Sequence, residues 1–265
     1  MSVLIPFVIV AVLGALLGFG LAIADKKLAV KKDPKLIALE EMMPGANCGG
    51  CGFAGCSAYA EAVFSRRAQI GLCSPGGKAL ADRMAETIGE ASVEVKPRVA
   101  HVFCAAPPEE VKKDFDYSGL EDCNAASILF KGSKSCKYGC LGLGSCIKVC
   151  PAGAIERLED GRIHVRTDIC IGCGKCEKAC PNGVIRLVDA GQKYFVSCNS
   201  KDKGPVVRAC CPSGCIGCLI CEKKHPGSGF KVESFLASYS SQDADDEASE
   251  AALASCPRKI IGRAE

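Results

Sequence analysis

Cysteine is the residue type that could do chemistry in this chain: 21 of its 265 residues. The run "CIGCGKCEKACP" sets Cys170, Cys173, Cys176 and Cys180 at C-x2-C-x2-C-x3-C, with Pro181 next. This is the bacterial ferredoxin spacing for [4Fe–4S] clusters. Three close thiolates wrap one face of an iron–sulfur cube, and the fourth, led away by proline, ligates the other cube of a pair. Cys170, Cys173 and Cys176 therefore need a fourth ligand from upstream, and Cys150, followed by Pro151, supplies it. Cys180 returns to a cube held by Cys140, Cys146 and one further thiolate. Leu143 occupies the middle of that upstream run, so the further thiolate comes from elsewhere: Cys136 is expected, with Cys123 the alternative. Structural zinc is the competing use of thiolates, but zinc sites usually come as two separated pairs.

An internal repeat surrounds this run. Cys123, Cys136, Cys140, Cys146 and Cys150-Pro151 recur 75 residues later as Cys198, Cys211, Cys215, Cys221 and His225-Pro226. At an offset of 76, Cys180-Pro181 becomes Cys256-Pro257. In the second copy Cys215, Cys218, Cys221 and Cys256 can still hold one cube. Its partner would need a cysteine at 225 and three more near 245, and the stretch 240–255 contains none. One cluster is lost whole and one kept whole. His225 then reads as a vestige on the surface rather than a histidine ligand of the Rieske kind.

Nearer the N-terminus, Cys48, Cys51, Cys56 and Cys73 are spaced C-x2-C-x4-C-x16-C among crowded glycines, which lets backbone wrap a cube. Residues 58–64 are expected to leave this loop as a helix. Four clusters use 16 cysteines, and Cys104, Cys123, Cys198, Cys210 and Cys211 remain. As a set they read as packed thiols, since free cysteine behaves as a small hydrophobe. The sharper reading gathers Cys104, Cys123, Cys198 and Cys211 into a fifth cluster bridging the repeats. No catalytic side chain is expected. His101 and His164 fall in strand-like stretches and read as packed or exposed side chains. "GLGSC" around Gly142 lacks the strand–helix context of a dinucleotide loop, and no flavin or nicotinamide site is visible.

The remaining sequence must position those thiolates. With 33 basic and 30 acidic residues the net charge is only +3, which makes no case for nucleic acid. There is no Trp, aromatics are 6%, and cysteine inflates the 48% hydrophobic share, so a large apolar core is not expected. Metal centres must hold the small modules together. Residues 3–24 carry no charge; as a helix they would span about 33 Å, against about 30 Å of bilayer hydrocarbon. "DKKLAVKK" follows directly, which by the positive-inside rule places the bulk of the chain on the cytoplasmic side. A cleaved signal peptide ending at Ala22-Ile23-Ala24 is the competing reading, but a positively charged leader is missing and the apolar run is long. The expected organisation is α+β: a transmembrane anchor (1–25), a linker (26–43), a small four-cysteine domain (44–91), a connecting segment (92–122), a ferredoxin-like domain with two clusters (123–190) and a degenerate ferredoxin-like domain with one (191–265).

"PGANCGGCGFAGC", "CKYGCLGLGSCIKVCPAGAI", "CIGCGKCEKACP" and "SKDKGPVVRACCPSGCIGC" together resemble the B subunit of the Rnf complex, the ion-translocating ferredoxin:NAD oxidoreductase, over essentially the whole chain. The resemblance implies that Cys48 to Cys73 form a Fes-type [4Fe–4S] domain. It implies that reduced soluble ferredoxin delivers electrons, which pass through [4Fe–4S] clusters to flavin- and iron–sulfur-carrying membrane subunits. It further implies coupling of NAD reduction, or its reverse, to Na+ or H+ movement at the inner (cytoplasmic) membrane, among other membrane and peripheral Rnf subunits. Lys112-Lys113 and Lys223-Lys224 are faces that could meet an acidic ferredoxin. Two other classes compete: a tethered ferredoxin module serving another reductase or hydrogenase, which co-purifying partners would reveal, and a zinc protein, which iron and sulfide analysis would reveal.

Overall fold

From Leu4 to Leu28 the chain is one α-helix, α1. At about 1.5 Å per residue its 25 residues reach about 37 Å, more than the hydrocarbon thickness of a bilayer. None of Phe7–Ala24 is buried by the rest of the chain, so the apolar surface faces outward, as lipid contact requires. The computed structural model describes residues 4–28, 32–242 and 244–264. The first three residues of the expected anchor, residues 29–31 of the expected linker and residue 243 of the 240–255 stretch lie outside them.

The first cysteine module is helical. Helix α2 (Pro34–Glu41) opens with proline at its first position, where no N–H is needed, and the Asp33 side chain accepts the Lys35 N–H at 2.8 Å. Helix α3 (Cys56–Phe64) covers the expected 58–64, and α4 (Gly77–Ile88) ends on Gly89 in the left-handed conformation. Leu39, Tyr59, Val63, Leu80 and Met84 interlock as the buried core of the three helices. The Tyr59 hydroxyl donates to the Gln69 carbonyl at 2.9 Å and accepts the Leu72 N–H at 3.2 Å, which fixes the stretch leading to Cys73.

The rest of the described chain is mixed helix and strand, built twice. Strand β1 (Arg98–Val102), drawn from the segment read as a connection, pairs antiparallel with β4 (Ile185–Asp189). Between them lie α5 (Cys123–Ile128), α6 (Ser145–Lys148), the hairpin β2 (Ile155–Arg157) with β3 (Ile163–Val165), and α7 (Lys175–Ala179). The second copy pairs β5 (Tyr194–Val196) with β8 (Ile261–Arg263) around α8 (Gly204–Cys210), α9 (Ile220–Lys223), the hairpin β6 (Phe230–Glu233) with β7 (Leu236–Tyr239), and α10 (Asp246–Ser255). Both cores are thin and cysteine-rich. One joins Ala100, Ile155, Ile163, Val165 and Ile185 to Cys146 and Cys176; the other joins Tyr194, Val196, Phe230 and Ile261 to Cys198, Cys215 and Cys221.

The short helices α6, α7 and α9 each start from a residue with positive φ: Gly144 (79°), Gly174 (73°) and Leu219 (62°). That conformation turns the chain sharply between the cysteine before it and the cysteine inside the helix, and glycine takes it without a Cβ penalty. The stretch 240–255, which carries no cysteine, folds as α10. The Asp245 side chain caps it by accepting the Ala248 N–H at 2.9 Å, and Asp246 and Glu247 in its first turn oppose the helix dipole.

Candidate iron–sulfur centres

Cys48, Cys51 and Cys56 line one loop, closed by Asn47, whose side-chain oxygen accepts the Cys56 N–H at 2.8 Å while its amide donates to the Gly45 carbonyl at 3.2 Å. Cys73 comes back from the far side of α3. Burial pushes its thiol up; the Gly76 N–H pulls the other way, and the nearby Cys51, Cys56 and Cys48 add to the upward push. Cys48, Cys51 and Cys56 thus lie near enough to Cys73 to bear on its charge.

Cys170, Cys173 and Cys176 also converge. Burial pushes Cys176 up to about 12, with Cys170 and Cys173 next in effect. The Ala100 N–H on β1 donates to Cys170 Sγ at 3.4 Å. The two proline-marked cysteines are held alike. The Ala154 N–H donates to Cys150 Sγ at 3.3 Å and the Val184 N–H donates to Cys180 Sγ at 3.3 Å, each from four residues ahead. Such bonds favour the thiolate form that iron binds.

Cys146 is pushed to about 11 by burial, then by Cys123 and Cys180. Cys123 is placed there by a small relay: its N–H donates to Ser145 Oγ at 2.7 Å, and that hydroxyl donates to Asp122 Oδ2 at 2.8 Å. Cys136 lies elsewhere. It is buried with Ala106, Val111 and Cys210, and its neighbours in charge are Cys210, Cys104 and Cys211. Cys140, pushed by burial up to about 12, feels Cys104 as well as Cys146. In the second repeat burial raises Cys221 to about 11, assisted by Cys215, Cys218 and Cys256.

Two features escape sequence reading. Lys134 is 5% exposed, and its ammonium donates to the Cys140 carbonyl at 2.6 Å, beside one of the expected ligands. Only its place in a Ser/Lys-rich stretch marks it in the sequence. Cys198 Sγ accepts two backbone N–H groups, from Cys215 at 3.3 Å and Ser200 at 3.5 Å. By contrast, the Cys210 thiol donates to the Val207 carbonyl at 3.6 Å. His225 Nε2 is 2.9 Å from Ser255 Oγ, at the last residue of α10. His101 stacks on Phe195 at 3.9 Å between centroids, and His164 sits in β3.

These donors suit iron–sulfur cubes. All 21 cysteines are free of disulfides, and soft thiolates are the ligands such clusters select. Among the described residues no three His, Cys, Asp or Glu side chains close on a single ion. A cube spreads its thiolates wider than one zinc ion does. Burial favours the protonated form of the raised thiols, so binding of iron there would release protons.

The family model "Putative Fe-S cluster" matches residues 43–75, and the model "4Fe-4S dicluster domain" matches residues 131–194. The B subunit of the proton-translocating ferredoxin:NAD(+) oxidoreductase complex of Clostridium ljungdahlii is 42% identical over 261 residues, covering 98% of this chain and 92% of the relative. The B subunit of the ion-translocating oxidoreductase complex of Methanosarcina acetivorans is 41% identical, covering 98% of each. The B subunit of the Na(+)-translocating ferredoxin:NAD(+) oxidoreductase complex of Acetobacterium woodii is 41% identical over 81% of this chain and 64% of its own. At 41–42% identity over nearly the full length, the chain belongs to the family of B subunits of ion-translocating (Rnf) oxidoreductase complexes.

Proposed function

We propose that this chain is a membrane-anchored electron wire of an Rnf complex. It accepts electrons from reduced ferredoxin and passes them to flavin- and iron–sulfur-carrying membrane subunits, in a complex that couples ferredoxin and NAD redox chemistry to Na+ or H+ movement. Bound [4Fe–4S] clusters supply one-electron transfer, and the chain's own residues hold, bury and hydrogen-bond them without bond chemistry of their own.

Four ligand sets are proposed: Cys48, Cys51, Cys56 and Cys73; Cys150, Cys170, Cys173 and Cys176; Cys123, Cys140, Cys146 and Cys180; Cys215, Cys218, Cys221 and Cys256. The observation that carries the reading is the matched pair of N–H bonds to Cys150 and Cys180, each at 3.3 Å. They aim the two proline-marked thiolates alike, as exchange between neighbouring cubes requires. Cys123 takes the place first given to Cys136 because it stands beside Cys146 and Cys136 does not. Helix α1 spans the membrane, and the lysines in its last turn and just beyond it, Lys26, Lys27, Lys31 and Lys32, hold the cysteine modules on the cytoplasmic side.

The test is Cys146→Ala in the full chain, purified without oxygen. The expected result is a loss of about four irons per chain, retained membrane insertion and no ferredoxin-linked turnover. Full turnover in that variant would mean that electrons bypass this cluster.

A further inference from the structure

Counting along the chain pairs Cys123 with Cys198, but the strands align differently. Val102 stands opposite Ile185 in β1–β4, and Val196 stands opposite Ile261, the repeat partner of Ile185, in β5–β8. The next residues repeat the match: the Phe103 N–H donates to the Val184 carbonyl and the Ser197 N–H to the Ile260 carbonyl, both at 2.8 Å. Val196 is thus the counterpart of Val102. Cys198, two residues further, is the counterpart of Cys104, while Cys211 is the counterpart of Cys136. Each repeat supplies the same two cysteines.

Contacts between the repeats draw these four together. The Ala105 N–H donates to the Ser197 carbonyl at 3.0 Å, joining the Cys104 loop to the Cys198 loop. The Asn199 amide donates to the Tyr138 carbonyl at 3.3 Å and the Asn182 carbonyl at 3.0 Å, joining the Cys198 loop to the Cys136 loop. Lys112 links the other two, donating its N–H to the Cys210 carbonyl at 3.0 Å and accepting the Ser135 N–H at 2.8 Å. Cys136 and Cys211 pack against one small core with Ala106 and Val111.

We propose that Cys104, Cys136, Cys198 and Cys211 hold a fifth [4Fe–4S] cluster between the repeats, one equivalent pair of thiolates coming from each; this rests on the four-cluster reading above. The sulfurs are prepared as ligands. Cys198 Sγ accepts two N–H groups, and Tyr138 and Ser213 each offer an N–H to the cysteine two residues before, Cys136 and Cys211. Cys104 acts on the charge of Cys136, Cys198 and Cys211 alike. The neighbouring Cys210 spends its S–H on Val207 and stays a packed thiol.

Single residues explain why Cys123 is not a member. In the second repeat Cys218 completes its cluster, whereas the first repeat has Leu143 there, so Cys123 is consumed beside Cys146. The fifth site also touches both neighbours. Cys104 acts on Cys140 of the first repeat, and the Cys215 N–H of the second bonds Cys198 Sγ. A cluster held here would lie between those of the two repeats and could relay one electron from one to the other, with no proton or bond change.

Iron counting on the anaerobically purified full chain tests this. The expected content is about 20 irons per chain on four per cube. Cys136→Ala and Cys211→Ala each lose about four, and the double variant also loses only about four because both residues serve one cluster. Cys136→Ala combined with Cys123→Ala loses about eight, and Cys210→Ala loses none. A wild-type content of about 16, or unchanged iron in Cys136→Ala, overturns the fifth site while leaving the other four. No iron loss in Cys146→Ala would overturn the underlying reading and this inference with it.

Discussion

Gly50 lies so close to Cys173 that a methyl on its α-carbon would stand 2.7 Å from the Cys173 carbonyl oxygen. Nearby, the Lys178 ammonium donates to the Gly49 carbonyl at 3.0 Å. The loop that carries Cys48 and Cys51 therefore rests directly on the loop that carries Cys170 to Cys176, so clusters held in these two loops would be neighbours with no other module between them.

Gly50→Ala puts a methyl against backbone, which cannot swing aside as a side-chain tip would, and overpacking of this kind costs about 1–3 kcal/mol. The expected outcome is an unchanged iron content with slower reduction of the first module's cluster by the others. Stopped-flow absorbance with a reductant that enters at one end reads this directly. Wild-type rates in Gly50→Ala would show that electrons do not cross at this contact.

Lys134 sets a second expectation. A buried ammonium at the Cys140 backbone stabilises added negative charge, so it favours the reduced cluster. At an effective dielectric near 20 a unit charge a few ångströms away is worth on the order of a few kcal/mol, on the order of 100 mV for one electron. Lys134→Met keeps the stem and removes the charge. The potential of the cluster held by Cys140 should fall by up to that order, as read by redox titration of its paramagnetic signal. A rise in potential would contradict the assignment.

Leu143 and Cys218 occupy equivalent places in the repeats, and the difference between them would account for the proposed use of Cys123. Cys123→Ala should lose about four irons. Adding Leu143→Cys to that variant should restore them, because the new thiol enters the position that Cys218 fills in the second copy. Failure of this rescue, with both single variants folded, would count against the equivalence.

The cysteine-bearing loops were legible in the sequence because their spacing is local. Cys170, Cys173 and Cys176 are placed by a turn of seven residues, and the Cys48 to Cys56 loop is equally short. The anchor was legible as an uncharged run. The placing of Cys123 beside Cys146 was not, since it depends on Ser145 and Asp122 holding Cys123 from across the fold. Nor was the match of Cys104 with Cys198, which lies in strand pairing between β1 and β4, partners more than 80 residues apart. The stretch 240–255 declared its lack of ligands but not its helix. That helix now explains His225: where the first repeat has Cys150, the imidazole meets Ser255 at the helix end.

His101 gives the fold a pH dependence. Its ring lies between Phe195, stacked at 3.9 Å, and Phe103, edge-on at 4.9 Å, and Nε2 is buried without a hydrogen-bond partner. Burial first, then His164 and Arg186, which faces it across β1–β4, push its pKa down to about 4. The unfolded chain takes up a proton near the usual histidine value of about 6.5. Between those values the unfolded state binds more protons, so stability is full above about pH 6.5 and is lost as pH falls toward 4. The whole window is worth about 3 kcal/mol, of which about 2 kcal/mol is gone at pH 5. His101→Phe keeps the stacked ring and cannot be protonated. Its melting temperature should therefore fall less than that of the wild type between pH 7.5 and pH 5.5, in anoxic thermal melts followed by circular dichroism. Equal falls in the two proteins would place the acid sensitivity elsewhere.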